Sequence, residues 1–343
     1  MAVAGRLSGP EFLRYPDPAT ELEVIRLTDP AFASGMTAPD LRQFGRRSDT
    51  LLYWSERFGP GRQAFQLDLK SGESHQLTEV SALDPRSLAL SSDEKSFYFF
   101  DGPALHESSL SNLRTRQLFR LEGAATRTGL TLAADGSVLF AENTPGSGAR
   151  IQRINKAGAS SILSSDQPID SLSVRPRQAQ LFYRTGDAVW LAGLDGSGRR
   201  QLKLEPGKTG EALWTQSGAT LLYLHIPDDP SQLITLREHD PATGADRQIA
   251  KTTQFESVAP NTDSSVFVGA SRSRASAYVL ILLRVTRREL TICEHRASDP
   301  RMVQPIFSPD SQSVVFASDR HGKPALYRVR IEKFVEQTNV EGS

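Results

Sequence analysis

The chain is predicted to be an all-β protein, a seven-bladed β-propeller of four-stranded antiparallel blades whose last blade is closed by the N-terminal strand. Three observations predict it. A polar turn runs into a short aromatic or aliphatic strand seven times, at intervals of 40–47 residues. The strands alternate with period two and carry Gly or Asp at their corners. The seventh repeat lacks an outer strand, and a matching segment lies ahead of the first.

The copies read Ser48-Asp49 into Leu51-Leu52-Tyr53-Trp54, Ser92-Asp93 into Phe97-Tyr98-Phe99-Phe100, and Asp135-Gly136 into Val138-Leu139-Phe140. They continue with Arg177-Gln178 into Leu181-Phe182-Tyr183, Ser217-Gly218 into Leu221-Leu222-Tyr223, Thr262-Asp263 into Val266-Phe267-Val268, and Pro309-Asp310 into Val314-Val315-Phe316. A period in the low forties with several strands and no helical pattern is the mark of a propeller, in which each repeat buries its faces against its neighbours.

Within the first repeat the inner strand is expected over residues 38–44, the second over 50–55, the third over 63–69 and the outer over 74–78. Lys70-Ser71-Gly72 supplies the hairpin turn, with glycine where positive φ is wanted. Similar turns stand at Lys156-Ala157-Gly158, Asp195-Gly196-Ser197-Gly198 and Ala242-Thr243-Gly244. The blades are expected over 36–80, 82–122, 126–165, 167–207, 210–252, 254–296 and 302–333, forming one domain over residues 1–343, with 334–343 as a polar tail. Residues 22–29 resemble the outer strands elsewhere, and pairing them with the last blade satisfies an otherwise open edge.

Lys plus Arg equals Asp plus Glu at 40 each, so no global field draws the chain toward nucleic acid or an anionic membrane. Cys293 is the only cysteine, which leaves no intramolecular disulfide and no thiolate cluster; in a strand-like run it reads as a small core residue. The first residues lack the ~7–15 apolar residues of a secretory h-region. No window reaches the ~20 apolar residues of a membrane span. A cytoplasmic location is expected, or a periplasmic one if a leader has been removed.

Near the C-terminus, Pro305-Ile306-Phe307-Ser308-Pro309-Asp310 and Val314-Val315-Phe316-Ala317-Ser318-Asp319-Arg320-His321-Gly322 resemble the propeller repeats of TolB and, more closely, the last blade of oligogalacturonate lyases. Pro16-Asp17-Pro18-Ala19-Thr20 followed by Glu23-Val24-Ile25-Arg26-Leu27-Thr28 is similar to the N-terminus of those lyases. The resemblance implies β-elimination on short pectin-derived uronates, with a divalent metal, commonly manganese, and a histidine base. A cation neutralises the uronate carboxylate and acidifies the neighbouring C–H, and a base of near-neutral pKa takes the proton. It also implies two histidines in the last inner strand, where Met302 and Gln304 stand here, a third ligand within Gln254-Phe255-Glu256-Ser257-Val258, and the base within Lys208-Thr209-Gly210-Glu211. None of these stretches contains histidine. A thioether and a neutral amide suit a hard divalent ion poorly.

Elsewhere, histidines 75, 106, 225, 239, 295 and 321 show no His-x-His or His-x-x-x-His spacing. No Gly-x-Ser-x-Gly elbow occurs, which excludes a prolyl-oligopeptidase-like hydrolase. Gly207-Lys208-Thr209 lacks the first glycine of a phosphate loop, where Leu202 stands.

One pattern remains. The positions expected to open the inner strands carry Arg42, Asp84 with Arg86, Arg127, Asp170, Glu211, Glu256 and Gln304. Polar side chains at a wet channel mouth need no ligand. The sharper expectation is a pocket whose arginines bind a carboxylate bidentately, or whose Asp170, Glu211 and Glu256 hold Ca²⁺ or Mg²⁺. The resulting expectation is a non-catalytic ligand-binding or protein-interaction propeller with no required cofactor, taking an acidic oligosaccharide or a protein partner. The alternative is a divergent oligouronide lyase working by metal-assisted β-elimination.

Overall fold

The computed structural model describes residues 5–338 apart from Pro60 and Thr253, and within them seven antiparallel sheets form the blades of a propeller. The reason lies in the second strand of each repeat. Tyr53, Phe99, Phe140, Tyr183, Tyr223, Phe267 and Phe316 each present a fully buried ring from that strand. One face per blade is thus committed to a neighbour, which only a closed stack of sheets provides.

The polar turn ahead of each of these strands is equally regular. It holds one residue in the left-handed region in every blade: Ser48, Glu94, Gly136, Arg177, Gly218, Ser264 and Ser311, with φ between 57° and 81°. Aspartates brace it, as where Asp135 accepts the Ser137 N–H at 2.9 Å and Asp310 that of Gln312 at 3.0 Å. At Gly218 glycine is required twice over. Its φ is +70°, and an added Cβ would collide with the Pro176 carbonyl of the preceding blade. Gly218→Ala is therefore expected to destabilise the protein by about 2–3 kcal/mol, read as a lowered midpoint in urea unfolding.

An arginine crosses every seam between blades. Arg42 donates to Ser92 O at 2.9 Å, Arg153 to Leu194 O at 3.3 Å and Arg175 to Gly218 O at 2.6 Å. Arg284 meets Glu238 at 2.7 Å, Arg320 donates to Glu294 O at 2.8 Å and Arg328 to Leu69 O at 3.2 Å. Asp84 and Arg127 pair across the remaining seam. Arg makes up 32 of the 40 basic residues, and its planar fork can hold several oxygens of a neighbouring loop at once.

Closure follows the expected route and goes beyond it. Glu23–Arg26 pairs antiparallel with Ala325–Arg330 as the outer strand of blade 7, and Val24, Ile25 and Leu27 are buried there. Leu13–Pro16 then adds a fifth strand to that blade, and Leu7–Ser8 adds one to the outer edge of blade 1. Directly after Leu13–Pro16, Asp17, 1% exposed, accepts the Glu294 N–H of blade 6 at 2.9 Å. The segment ahead of the first blade thus touches three blades, not one. Among the described residues no helix is long and apolar enough to cross a membrane.

Candidate active site in the channel

Inner strands line the channel, and their starts are irregular in a way that serves side-chain placement. In blade 1 the strand expected over 38–44 is broken. The inner pairing of this blade is made instead by Ser34–Gly35, ahead of that span, and by an isolated bridge between Phe44 and Leu51. Between them Ala38-Pro39-Asp40-Leu41 forms a turn closed by the Leu41 N–H on Ala38 O at 3.0 Å. Proline presets φ and has no N–H to lose, so it suits the second position of such a turn. The turn carries Asp40 into the lumen.

Blades 2 and 7 use a related device. Asp84 accepts the Arg86 N–H at 3.0 Å and caps the single 3-10 turn Pro85–Ser87. Asp299 does the same for the Arg301 N–H at 3.0 Å ahead of Pro300–Met302, and Gln304 follows with φ +37°. Blades 5 and 6 use bulges instead. The register shifts between Thr209 and Ala212, where Glu211 sits, and between Phe255 and Ser257, where Glu256 sits. A bulge leaves its extra residue unpaired and re-aims the side chain.

These devices bring together four charged groups across the lumen: Asp40, Arg86, Glu211 and Glu256, from blades 1, 2, 5 and 6. Burial pushes the Glu211 carboxyl up to about 7. The negative charges of Asp40 and Glu256 push the same way, while the Val258 N–H, donating to Glu211 Oε2 at 2.7 Å, and Arg86 oppose it. Asp40 touches lumen water yet is walled by protein, and this poor solvation raises it to about 6 against the pull of Arg86. Two carboxylates around one exposed guanidinium thus titrate close to neutrality.

The remaining sequence-predicted positions separate from this group. Arg42 lies at the far end of the channel, bonded to Ser92 O and paired with Glu94 in the turn that follows the inner strand of blade 2. Asp40, two residues earlier, takes the place expected of it. A cavity of about 550 Å³ extends from Asp40 to that far end, among Arg42, Trp214, Asn261 and Pro309. Arg127 is committed to Asp84 and lies over the Phe100 ring at 4.1 Å. Asp170 accepts the Gly186 N–H at 2.7 Å, whereas Glu256 stays with the lumen group while pairing with Arg272 at 3.0 Å.

Nor are Asp170, Glu211 and Glu256 assembled as a cation site. Among the described residues no group of three or more His, Cys, Asp or Glu could hold a metal ion. Three of the six imidazoles make local hydrogen bonds. His225 faces Pro206 O at 2.7 Å, His295 faces Ser271 O at 3.2 Å, and His321 faces the Tyr327 hydroxyl at 2.9 Å.

Comparison with known proteins agrees with this architecture. No family model matches the chain. It is 24% identical to the oligogalacturonide lyase of Pectobacterium atrosepticum, with 93% of this chain and 96% of that one covered. It is also 24% identical to the oligogalacturonate lyase of Dickeya dadantii, covering 95% and 97%. An oligogalacturonate lyase solved in complex with manganese superposes with a TM-score of 0.90 at 22% identity, over 96% of this chain and 98% of the other. The oligogalacturonate lyase of Vibrio parahaemolyticus gives 0.90 at 18% identity, over 97% and 100%. In fold, the chain is an oligogalacturonate-lyase-like seven-bladed β-propeller.

Proposed function

We propose that the protein is a divergent oligouronide lyase whose reaction takes place at the Asp40–Arg86–Glu211 cluster. The observation that carries this reading is Glu211, a bulge-presented carboxyl in the channel with a pKa of about 7. A general base works best when its pKa lies near the working pH. Glu211 ends the stretch to which the resemblance assigns the base, and the relatives that align with 93–95% of the chain are named for this reaction. The expectation of a non-catalytic module rests on missing imidazoles, and a carboxyl titrating near neutrality weakens that reason.

The residues suggest a division of labour. Arg86, exposed in the lumen, takes the uronate carboxylate and stabilises the charge that develops beside it. Glu211 Oε1, the oxygen not held by Val258, accepts the proton from the carbon next to that carboxylate. The C–H electrons form the new double bond, the bond to the glycosidic oxygen breaks, and the departing oxygen takes a proton from lumen water. Asp40 adds through its charge to the basicity that burial gives Glu211. The donors present do not fit a manganese ion, and no step is assigned to one.

The test is a mixture of the protein with oligogalacturonates, with and without EDTA. The unsaturated product is conjugated, so ultraviolet absorbance is expected to rise in both. A flat trace, also with added Mn²⁺, alongside calorimetric binding of the same oligomers would return the protein to the non-catalytic reading. The pH profile tests the assignment of roles. Activity should rise with pH through about 7 as Glu211 loses its proton. Asp40→Asn removes a negative neighbour and should move that limb to lower pH, whereas Arg86→Gln should move it higher and raise KM. An unmoved limb in Asp40→Asn would remove Asp40 from the mechanism.

A further inference from the structure

The seam where the ring closes contains a cation with no paired counter-charge among the described residues. Arg328, on the third strand of blade 7, is only 8% exposed. Its guanidinium makes one hydrogen bond, from Nη1 to Leu69 O of blade 1 at 3.2 Å, and its buried Nε has no partner. Among the described residues no carboxylate pairs with it, in contrast to Arg42, which meets Glu94, and Arg284, which meets Glu238. Burial and the nearby Arg330 and Arg14 lower its pKa, while Glu23 and Asp310 act on it from a distance.

Arg328 lines a cavity of about 330 Å³ between blades 7 and 1, together with Arg330, Ser48, Asp310 and Glu332. Asp310 Oδ1 accepts from the Ser308 hydroxyl at 2.6 Å and the Gln312 N–H at 3.0 Å, and Asp310 makes no ion pair with Arg328 among the described residues. Glu332 is exposed and screened by solvent. Ser48 Oγ accepts the Asp310 N–H at 3.1 Å, which leaves its own proton free to donate. An unpaired buried guanidinium is costly, and its flat fork matches two oxygens of an anion.

We infer that this seam cavity binds a small oxyanion, a phosphate or a sugar carboxylate, between Arg328 and Arg330. Bound there, the anion neutralises the buried charge and ties the last blade to the first. The site is remote in chemistry from the channel cluster, so its test reads stability and leaves the lyase reading untouched.

Thermal unfolding is measured at constant ionic strength in sodium chloride, sodium phosphate and sodium galacturonate. A saturable rise in Tm of about 2 °C or more over chloride is expected with at least one oxyanion, since a ligand that binds only the folded state stabilises it. Which anion produces it identifies the source. Arg328→Met should abolish the rise, and Arg330→Gln should weaken it at least several-fold in concentration dependence. Calorimetric titration of the unmodified protein with phosphate and galacturonate provides a second readout that requires no variant at position 328. Absence of binding heat and of any Tm rise with both anions overturns the inference. An undiminished rise in Arg328→Met, or in Arg330→Gln if the first variant does not fold, overturns it as well.

Discussion

Glu211→Gln is expected to lower the elimination rate by about 10²–10⁴-fold, because the amide keeps the shape and cannot accept a proton. The same change should make the protein more stable at alkaline pH. The sign follows from linkage. Glu211 has a folded pKa of about 7, above the ordinary carboxylate value, so the fold favours its protonated form. That stability is complete below the unfolded pKa and is lost as pH rises through the folded one. Removing the ionisable group removes the loss. Tm of Glu211→Gln should therefore match the unmodified protein near pH 4 and exceed it at pH 8. Activity that persists at more than a tenth, or a Tm difference that does not grow with pH, would separate Glu211 from the role assigned to it. A structural residue would instead lose stability on substitution, which makes the paired measurement discriminating.

Deleting residues 1–29 is expected to open the ring and abolish cooperative unfolding. The deletion removes Val24, Ile25 and Leu27, all fully buried at 0–1% exposure. At about 1.5–3 kcal/mol for each such side chain, the lost burial alone approaches the ~5–15 kcal/mol that holds a typical domain folded. It also removes the ladder onto Ala325–Arg330, the outer strand Leu13–Pro16 and the Asp17 carboxylate that holds blade 6. Circular dichroism melts should broaden or shift below ambient temperature, and size exclusion should show aggregates seeded by the bared edge. A sharp transition within a few degrees of the full chain would contradict this account of closure. Deleting only residues 1–9, which carry the short Leu7–Ser8 pairing on blade 1, should cost far less.

The seven-fold plan is legible in the sequence because it is written in short-range chemistry. A left-handed turn position and a buried ring three to six residues later recur in each blade, with a bracing aspartate in blades 2, 3, 6 and 7, and each requirement is local. The closing strand is legible for the same reason, since an unpaired third strand in blade 7 and a spare strand at residues 22–29 are complementary. Period-two reading fails where the chain leaves the strand. Counting alternation across residues 38–44 selects Arg42, whereas the Ala38–Leu41 turn shifts the lumen position to Asp40. Pro39 is the visible signal, as Pro85 and Pro300 are for the comparable turns of blades 2 and 7. The bulges that present Glu211 and Glu256 carry no such marker, and Lys208-Thr209-Gly210 hints at one only through its glycine. Burial across the lumen, which sets the proton affinity of Glu211, depends on residues from blades opposite in the ring. No local window contains them.

The threading of the N-terminal segment through blades 6, 7 and 1 also governs the order of events during synthesis. Glu23–Arg26 leaves the ribosome long before its partner Ala325–Arg330. The closing pair therefore spans six further blades in sequence, and such contacts form slowly because a long loop must be ordered before they are rewarded. Until then an apolar segment waits with its backbone unpaired, at ~5–20 residues per second of elongation. Nascent chains stalled short of the last blade should be the species most prone to capture by chaperones.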